Sequence, residues 1–248
     1  MPQSEMGQIV LKWEGVSGLN LVTLNVMDGL GDFAVGGQGS EEADSGVVPL
    51  SGIHGGRFTS TNQAEHALAV GTQNAFSPAL NGSLIFEARV QFNNTATKEC
   101  FIGFSDVPLN TLSVEVDIVT GATGTMTNVG SDFCGFFQSA DLTDVNDWHL
   151  VHNGGSAAAS SLTSNEIDGT TFGVSDIVAG EWQILRIEID PNGTVRWYVD
   201  GELVKTVVDA ASTTVLMGAV AAVEAKGSAI EEMDVNYLLF RANRDWTV

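Results

Sequence analysis

The sequence predicts an all-β chain folded as a two-sheet antiparallel sandwich, and three observations carry that expectation. The first is residues 181–208, EWQILRIEIDPNGTVRWYVDGELVKTVV, where Leu185, Ile187 and Ile189 alternate with Arg186, Glu188 and Asp190, the period of two that marks a half-buried strand. The second is the recurrence of such short patterns from residue 55 onward, separated by Gly- or Asn-bearing turns, with no sustained 3.6-residue period. Many short strands without alternating helices pack as two antiparallel sheets. The third is composition: 28 Gly and only 5 Pro, with 44% hydrophobic and 17% charged residues in 248, fit tight turns and a core large enough for one all-β domain.

Residues 1–54 read differently from the rest. Apolar stretches at 8–13 and 19–27 precede DGLGDFAVGGQGSEEADSG, an acidic, Gly-rich loop, and Lys12 is the sole basic residue among the first fifty. The segment is either an arm that docks on a neighbouring subunit or the first strands of the sandwich plus a long loop. The expected division is therefore an N-terminal arm and loop over 1–54 and a sandwich over 55–248. Within the sandwich, Leu84, Phe86, Ala88, Val90 and Phe92 alternate with Ile85, Glu87, Arg89 and Gln91. Residues 99–104 are apolar on both faces, and Val114, Val116 and Ile118 alternate with Glu115, Asp117 and Val119. Further strands are expected at 133–138, 147–152, 215–223 and 233–241.

In 181–208, Pro191-Asn192-Gly193 supplies a fixed φ and a residue free to take φ > 0, as a three-residue hairpin loop requires. With Asp190 opposite Thr194, Ile189 pairs with Val195, Ile187 with Trp197 and Leu185 with Val199. Glu188 then faces Arg196, and Arg186 faces Tyr198, so every cross-strand pair is compatible. Asp200-Gly201 is a second hairpin signal.

The 31 acidic and 10 basic residues give a formal charge of −21. Such a field repels nucleic acid and anionic lipid, whose phosphates need clustered Lys and Arg. No run of about eighteen apolar residues occurs, so a membrane-spanning helix is not expected. The start, MPQSEMGQIVLKW, lacks a basic and an apolar leader region, implying use without secretory export or a leader already removed. Cys100 and Cys134 sit in apolar contexts without a Cys-x-x-Cys, so buried free thiols and a reducing compartment are expected.

The segments SLIFEARVQF (83–92), ECFIGFSD (99–106), 181–207 and MDVNYLLFRA (233–242) together resemble the concanavalin A-like jelly roll of legume lectins, laminin G-type modules and family 16 glucanases. The resemblance covers residues 55–243 and implies a fold that hosts lectins, hydrolases and structural modules alike. ECFIGFSD is also similar to jelly-roll modules in virion proteins of tailed bacteriophages. That resemblance implies a non-catalytic structural protein on the particle surface: capsid decoration or cement, a head fibre or a tail component. Its partners would be a major capsid or tail protein and further copies of itself. The alternative is a carbohydrate-binding lectin or adhesin that takes a host-surface glycan, and the third reading is a degenerate family 16-like hydrolase.

For the hydrolase reading, the family's Glu-x-Asp-x-x-Glu maps onto 115–120. Glu115 matches the nucleophile and Asp117 the assisting residue, but Thr120 stands where the acid/base would be, and a hydroxyl does not protonate a leaving glycoside. For a glycan site, Trp148 beside Asn146 and Asp147 is the expected exposed platform, with Tyr198 next. No cofactor is expected. Ca²⁺ stays open through the acidic loop residues Asp28, Asp32, Glu41, Glu42 and Asp44, with Asp141, Asp144, Asn146 and Asp147 second, because hard cations take several carboxylate and carbonyl oxygens. His149 and His152 are three apart, hence on opposite strand faces, and read as structural.

Overall fold

The computed structural model describes residues 8–14, 33–50, 55–122, 124–161, 166–167 and 176–243, with 8–14 and 166–167 as backbone strands. Two large antiparallel sheets face each other. The first has the order β15 (Glu202–Val207), β14 (Val195–Val199), β13 (Trp182–Ile189), β6 (Leu84–Phe92), β17 (Glu232–Asn243), β4 (Gly56–Thr59) and β3 (Gly46–Pro49), with β1 (Gln8–Glu14) also on β17. The second runs β12 (Glu166–Ile167), β11 (Trp148–Asn153), β10 (Phe133–Ser139), β7 (Lys98–Ser105), β16 (Gly218–Ala225), β5 (Leu68–Gly71) and β2 (Ala34–Gly36). The described strands within 1–54 pair into both sheets, β1 on β17, β2 on β5 and β3 on β4, while the apolar stretch at 19–27 lies outside the described residues.

The β13–β14 hairpin has the register its sequence dictates: Leu185 opposite Val199, Arg186 opposite Tyr198, Ile187 opposite Trp197, Glu188 opposite Arg196 and Ile189 opposite Val195. Alternation sends the apolar set inward, and β6 and β13 alternate buried with half-buried positions along their whole length. Long β17 keeps the same phase across two partners through a bulge at Asn236, which lets both Val235 and Leu238 point into the core. Trp197 is fully buried and donates its indole N–H to the Gly135 carbonyl at 3.0 Å.

The second sheet is buried on both faces. Its inner face meets the first sheet through Cys100, Ile102, Phe104, Phe136 and Trp148, among others. Its outer face lies under a covering layer built from residues 107–130 and 140–147, on either side of β10: a 3₁₀ turn at Leu109–Thr111, a single helical turn α2 (Val114–Asp117; α1 is the turn Pro78–Asn81) and a hairpin of β8 (Val119–Ala122) and β9 (Thr125–Asn128). Leu112, Val114, Ile118 and Met126 of this layer pack on Phe101, Phe133, Phe137, Val220 and Ala222. Double coverage is why ECFIGF is apolar at every position but the first. The texture that resembles virion modules is accounted for by core packing in β7, every residue of which is buried.

Here the expected strand at 114–119 is overturned. Residues 114–117 form a helical turn, because Ser113 accepts a bond from the Val116 amide at 3.2 Å while Asp117 accepts one from the Ser113 amide at 2.9 Å. These local caps compete with a ladder and win where no strand partner is offered.

Candidate functional site

Strand alternation places all the described arginines on one surface. Arg57, Arg89, Arg186, Arg196 and Arg241 stand at half-buried, outward positions of β4, β6, β13, β14 and β17. Both tyrosines, Tyr198 and Tyr237, and Trp182 share that face. In a chain of charge −21 this is a concentrated set of donors. The set is braced by acids: Arg57 bonds Asp234 through two nitrogens at 2.7 and 3.1 Å, and Arg196 holds Asp190 in the same bidentate way at 2.7 and 2.6 Å. The Arg89 guanidinium lies 4.9 Å from the Trp182 ring centre.

Between β13 and β14 this face dips into a cleft of about 390 Å³ lined by Glu87, Ile184, Arg186, Glu188, Tyr198, Asp200 and Gly201. The Asp200–Gly201 turn closes one end, with φ of 50° and 85°, the geometry that Asp-Gly adopts readily. Two bonds of 2.8 Å, Ile184 N–H to the Asp200 carboxylate and Asp200 N–H to the Ile184 carbonyl, tie that turn to β13. Arg186 sits 5.7 Å from the Tyr198 ring centre and pairs with Glu188. Tyr198 donates to Glu188 at 3.2 Å, and Tyr237 donates to Glu87 at 2.6 Å. Burial raises both phenol pKa values, and the adjacent carboxylates raise them further, so both stay protonated donors. The buried Arg186 Nε–H has no partner among the described residues. The cleft thus offers an aromatic ring, an unused donor and three carboxylates, a set that fits a ring compound bearing hydroxyls.

The expected catalytic pair lies elsewhere, under the covering layer. Glu115 and Asp117 do not share a strand face, since both are on α2. Glu115 instead meets Glu99 of β7 and Glu224 of β16, their ligand oxygens all within 4.8 Å of one another. Glu99 and Glu224 are cross-strand partners on the outer face of the second sheet and are 0% exposed. Glu224 accepts from Ser113 Oγ at 2.9 Å and from the Val114 and Glu115 amides at 2.8 and 3.3 Å, capping α2 from outside. Burial pushes Glu224 up to about 7 and Glu99 to about 8. Lys226 reaches Glu115 at 2.7 Å, Asp141 at 3.0 Å and Glu99 at 3.3 Å. Burial acts to lower the lysine, but these carboxylates outweigh it and hold it above its ordinary value. The carboxyl separation is of the order retaining hydrolysis uses, about 5 Å, but two of the three groups are sealed from solvent. The ammonium of Lys226 already takes one oxygen each of Glu99 and Glu115 and so offsets part of the cluster's charge. The sequence signal for Glu99 and Glu224, a lone acid inside an otherwise apolar strand, is present but was not among the expected sites.

The remaining expectations divide. Trp148 is not an exposed platform: it is 2% exposed, packs on Phe92 and Phe136, and donates to Gln183 at 3.0 Å. Asp147 is buried, and exposed Asn146 accepts from Thr95 at 2.6 Å, so this trio does not form a binding surface. Tyr198 does line a cleft. Asp44 accepts from the Asn62 amide at 3.2 Å, while Asp28 and Asp32 lie outside the described residues. His149 and His152 are buried, and burial holds both down at about 4. Cys100 and Cys134 are free and buried, with burial raising both thiol pKa values.

No protein-family model and no curated protein matches the chain. Solved structures do match it. Peanut lectin superposes with a TM-score of 0.55 at 12% identity, over 95% of this chain and 97% of its own. The Emp46p carbohydrate recognition domain gives 0.54 at 12%, over 88% and 90%; a potassium-bound form of that domain also matches. An endo-1,3-β-glucanase from Streptomyces sioyaensis gives 0.50 at 14%, over 96% and 97%. The chain has a concanavalin A-like jelly-roll fold. At these identities the likeness establishes the fold alone.

Proposed function

We propose that this chain is a carbohydrate-binding module that holds a neutral glycan in the cleft between Tyr198, Arg186 and Asp200 without cleaving it. One observation carries the reading: an aromatic ring, a guanidinium whose Nε–H has no partner among the described residues and three carboxylates converge on one cleft of about 390 Å³. Sugar rings offer an apolar face to the tyrosine and hydroxyls to the charged groups, which both donate and accept. The likeness to peanut lectin and to the Emp46p recognition domain supports the class. The charge of −21 disfavours sialylated or sulfated glycans by repulsion.

A glycan array tests this. Neutral glycans bind the wild-type chain, and Tyr198→Ala or Arg186→Ala weakens binding roughly tenfold or more, the loss expected for an anchoring contact of about 1.4 kcal/mol or above. Absence of any neutral-glycan binding, or binding that survives both substitutions, would contradict the proposal. Release of reducing sugar from a β-1,3-glucan, abolished by Glu115→Gln, would restore the hydrolase reading in its place.

A further inference from the structure

The carboxylate cluster beneath the covering layer contains an unsatisfied charge. Glu99 Oε1 accepts from Ser139 Oγ at 2.5 Å and faces Lys226 at 3.3 Å, but Glu99 Oε2 is buried and has no partner among the described residues. Directly across the ladder stands Glu224, whose oxygens are engaged by Ser113 and two backbone amides of α2. A buried carboxylate oxygen with no donor costs about 1–3 kcal/mol or more. Beside a second buried carboxylate, with ligand oxygens of the two residues within 4.8 Å, the natural remedy is a proton, which turns the orphan acceptor into a donor and removes one of two adjacent charges.

We propose that Glu99 and Glu224 between them hold one proton at neutral pH, and that this proton, with the Lys226 ammonium, latches the covering layer onto the second sheet so that the layer loosens as the medium turns alkaline.

The charges facing the pair agree with this. From α2 comes Glu115, while Asp117 turns back to accept from the Ser113 amide; from the loop after β10 comes Asp141, and just past β16 comes Lys226. The nearest other pair, Lys98 with Glu231 at 3.2 Å, is directed to the opposite face of β7 and neutralises itself. With every carboxyl ionised, Glu99, Glu115, Glu224 and Asp141 outnumber the single ammonium by three, in a place where two of them see no water. Loss of the shared proton to solvent leaves two adjacent buried anions. The contacts then strained are those that seat the layer: Glu224 on the start of α2, and Lys226 on Glu115 and Asp141, which belong to the layer's two ends.

Hydrogen exchange at the amides of 114–121 tests the latch at about pH 6 and about pH 8.5, corrected for base catalysis. Wild-type protection there should fall about tenfold or more, while amides of β6 and β13 hold theirs. Glu99→Gln, which carries the donor permanently, should remove the pH dependence. An equal fall in wild type and variant, or a fall shared by β6 and β13, would overturn the proposal. Carboxyl-carbon titration of the wild-type chain tests it without a variant. One proton still held by the pair at pH 7 supports it, and a pair fully ionised by pH 7 rejects it.

Discussion

At the residue scale, outcomes follow from which side of a strand a side chain occupies. Trp197 and Trp148 both point inward and both find an acceptor for the indole N–H, in Gly135 and Gln183. Trp197→Ala should cost about 3–5 kcal/mol in urea unfolding, through a large cavity and an unpaired Gly135 carbonyl. Tyr198→Ala should leave unfolding within about 1 kcal/mol of wild type, because its ring lies at the surface; a loss as large as that of Trp197→Ala would make Tyr198 structural. Trp197 was legible as core because it lies in a long, clean alternation. Trp148 was misread because it opens its strand, next to polar Asn146 and Asp147, where parity has no preceding residues to fix it.

At the scale of elements, the β13–β14 hairpin could be read to the residue, register included, since its loop length and two-sided pairing leave one compatible alignment. The same alternation misled at 114–119. Five residues of Val-Glu-Val-Asp-Ile satisfy a strand pattern, but the structure decides the conformation through Ser113 and through Glu224, which is over a hundred residues away and cannot be paired with α2 from sequence. Ser113→Ala should therefore cost about 1 kcal/mol through lost capping, seen as faster hydrogen exchange at 116–118 with little change in β13. Gly193 marks a second sensitive point: φ is 82°, and an added Cβ would meet the Ala211 carbonyl at 2.4 Å. Gly193→Ala should destabilise the chain by more than about 1 kcal/mol, measured by urea midpoint, although the residue sits in a loop.

At the scale of the whole molecule, the sandwich was readable from composition and strand count, but the covering layer was not, because nothing local announces that one sheet will be buried twice. The two buried layers together hold a set of ionisable groups that oppose one another in pH. His149 and His152 stay neutral in the fold down to about 4, whereas an unfolded histidine takes its proton below 6.5, so they reduce stability as pH falls through that window. Glu99 and Glu224 keep protons in the fold up to about 8 and about 7 that an unfolded chain releases above 4.5, so they reduce stability as pH rises. The two trends cancel between about pH 4.5 and 6.5, and only the second acts above that. The thermal midpoint should be flat over the first range and fall by roughly 3–8 °C toward about pH 8.5, a fall that Glu99→Gln diminishes. The functional claim rests instead on the opposite face of the molecule, where the arginines and tyrosines gather. Its most direct test is an amide-resolved titration of the isotopically labelled chain with the neutral glycan that binds best on the array. The account predicts shifts centred on Ile184, Arg186, Tyr198 and Gly201; shifts confined to the second sheet, or to the loop cleft around Gly155 and Asp209, would contradict it.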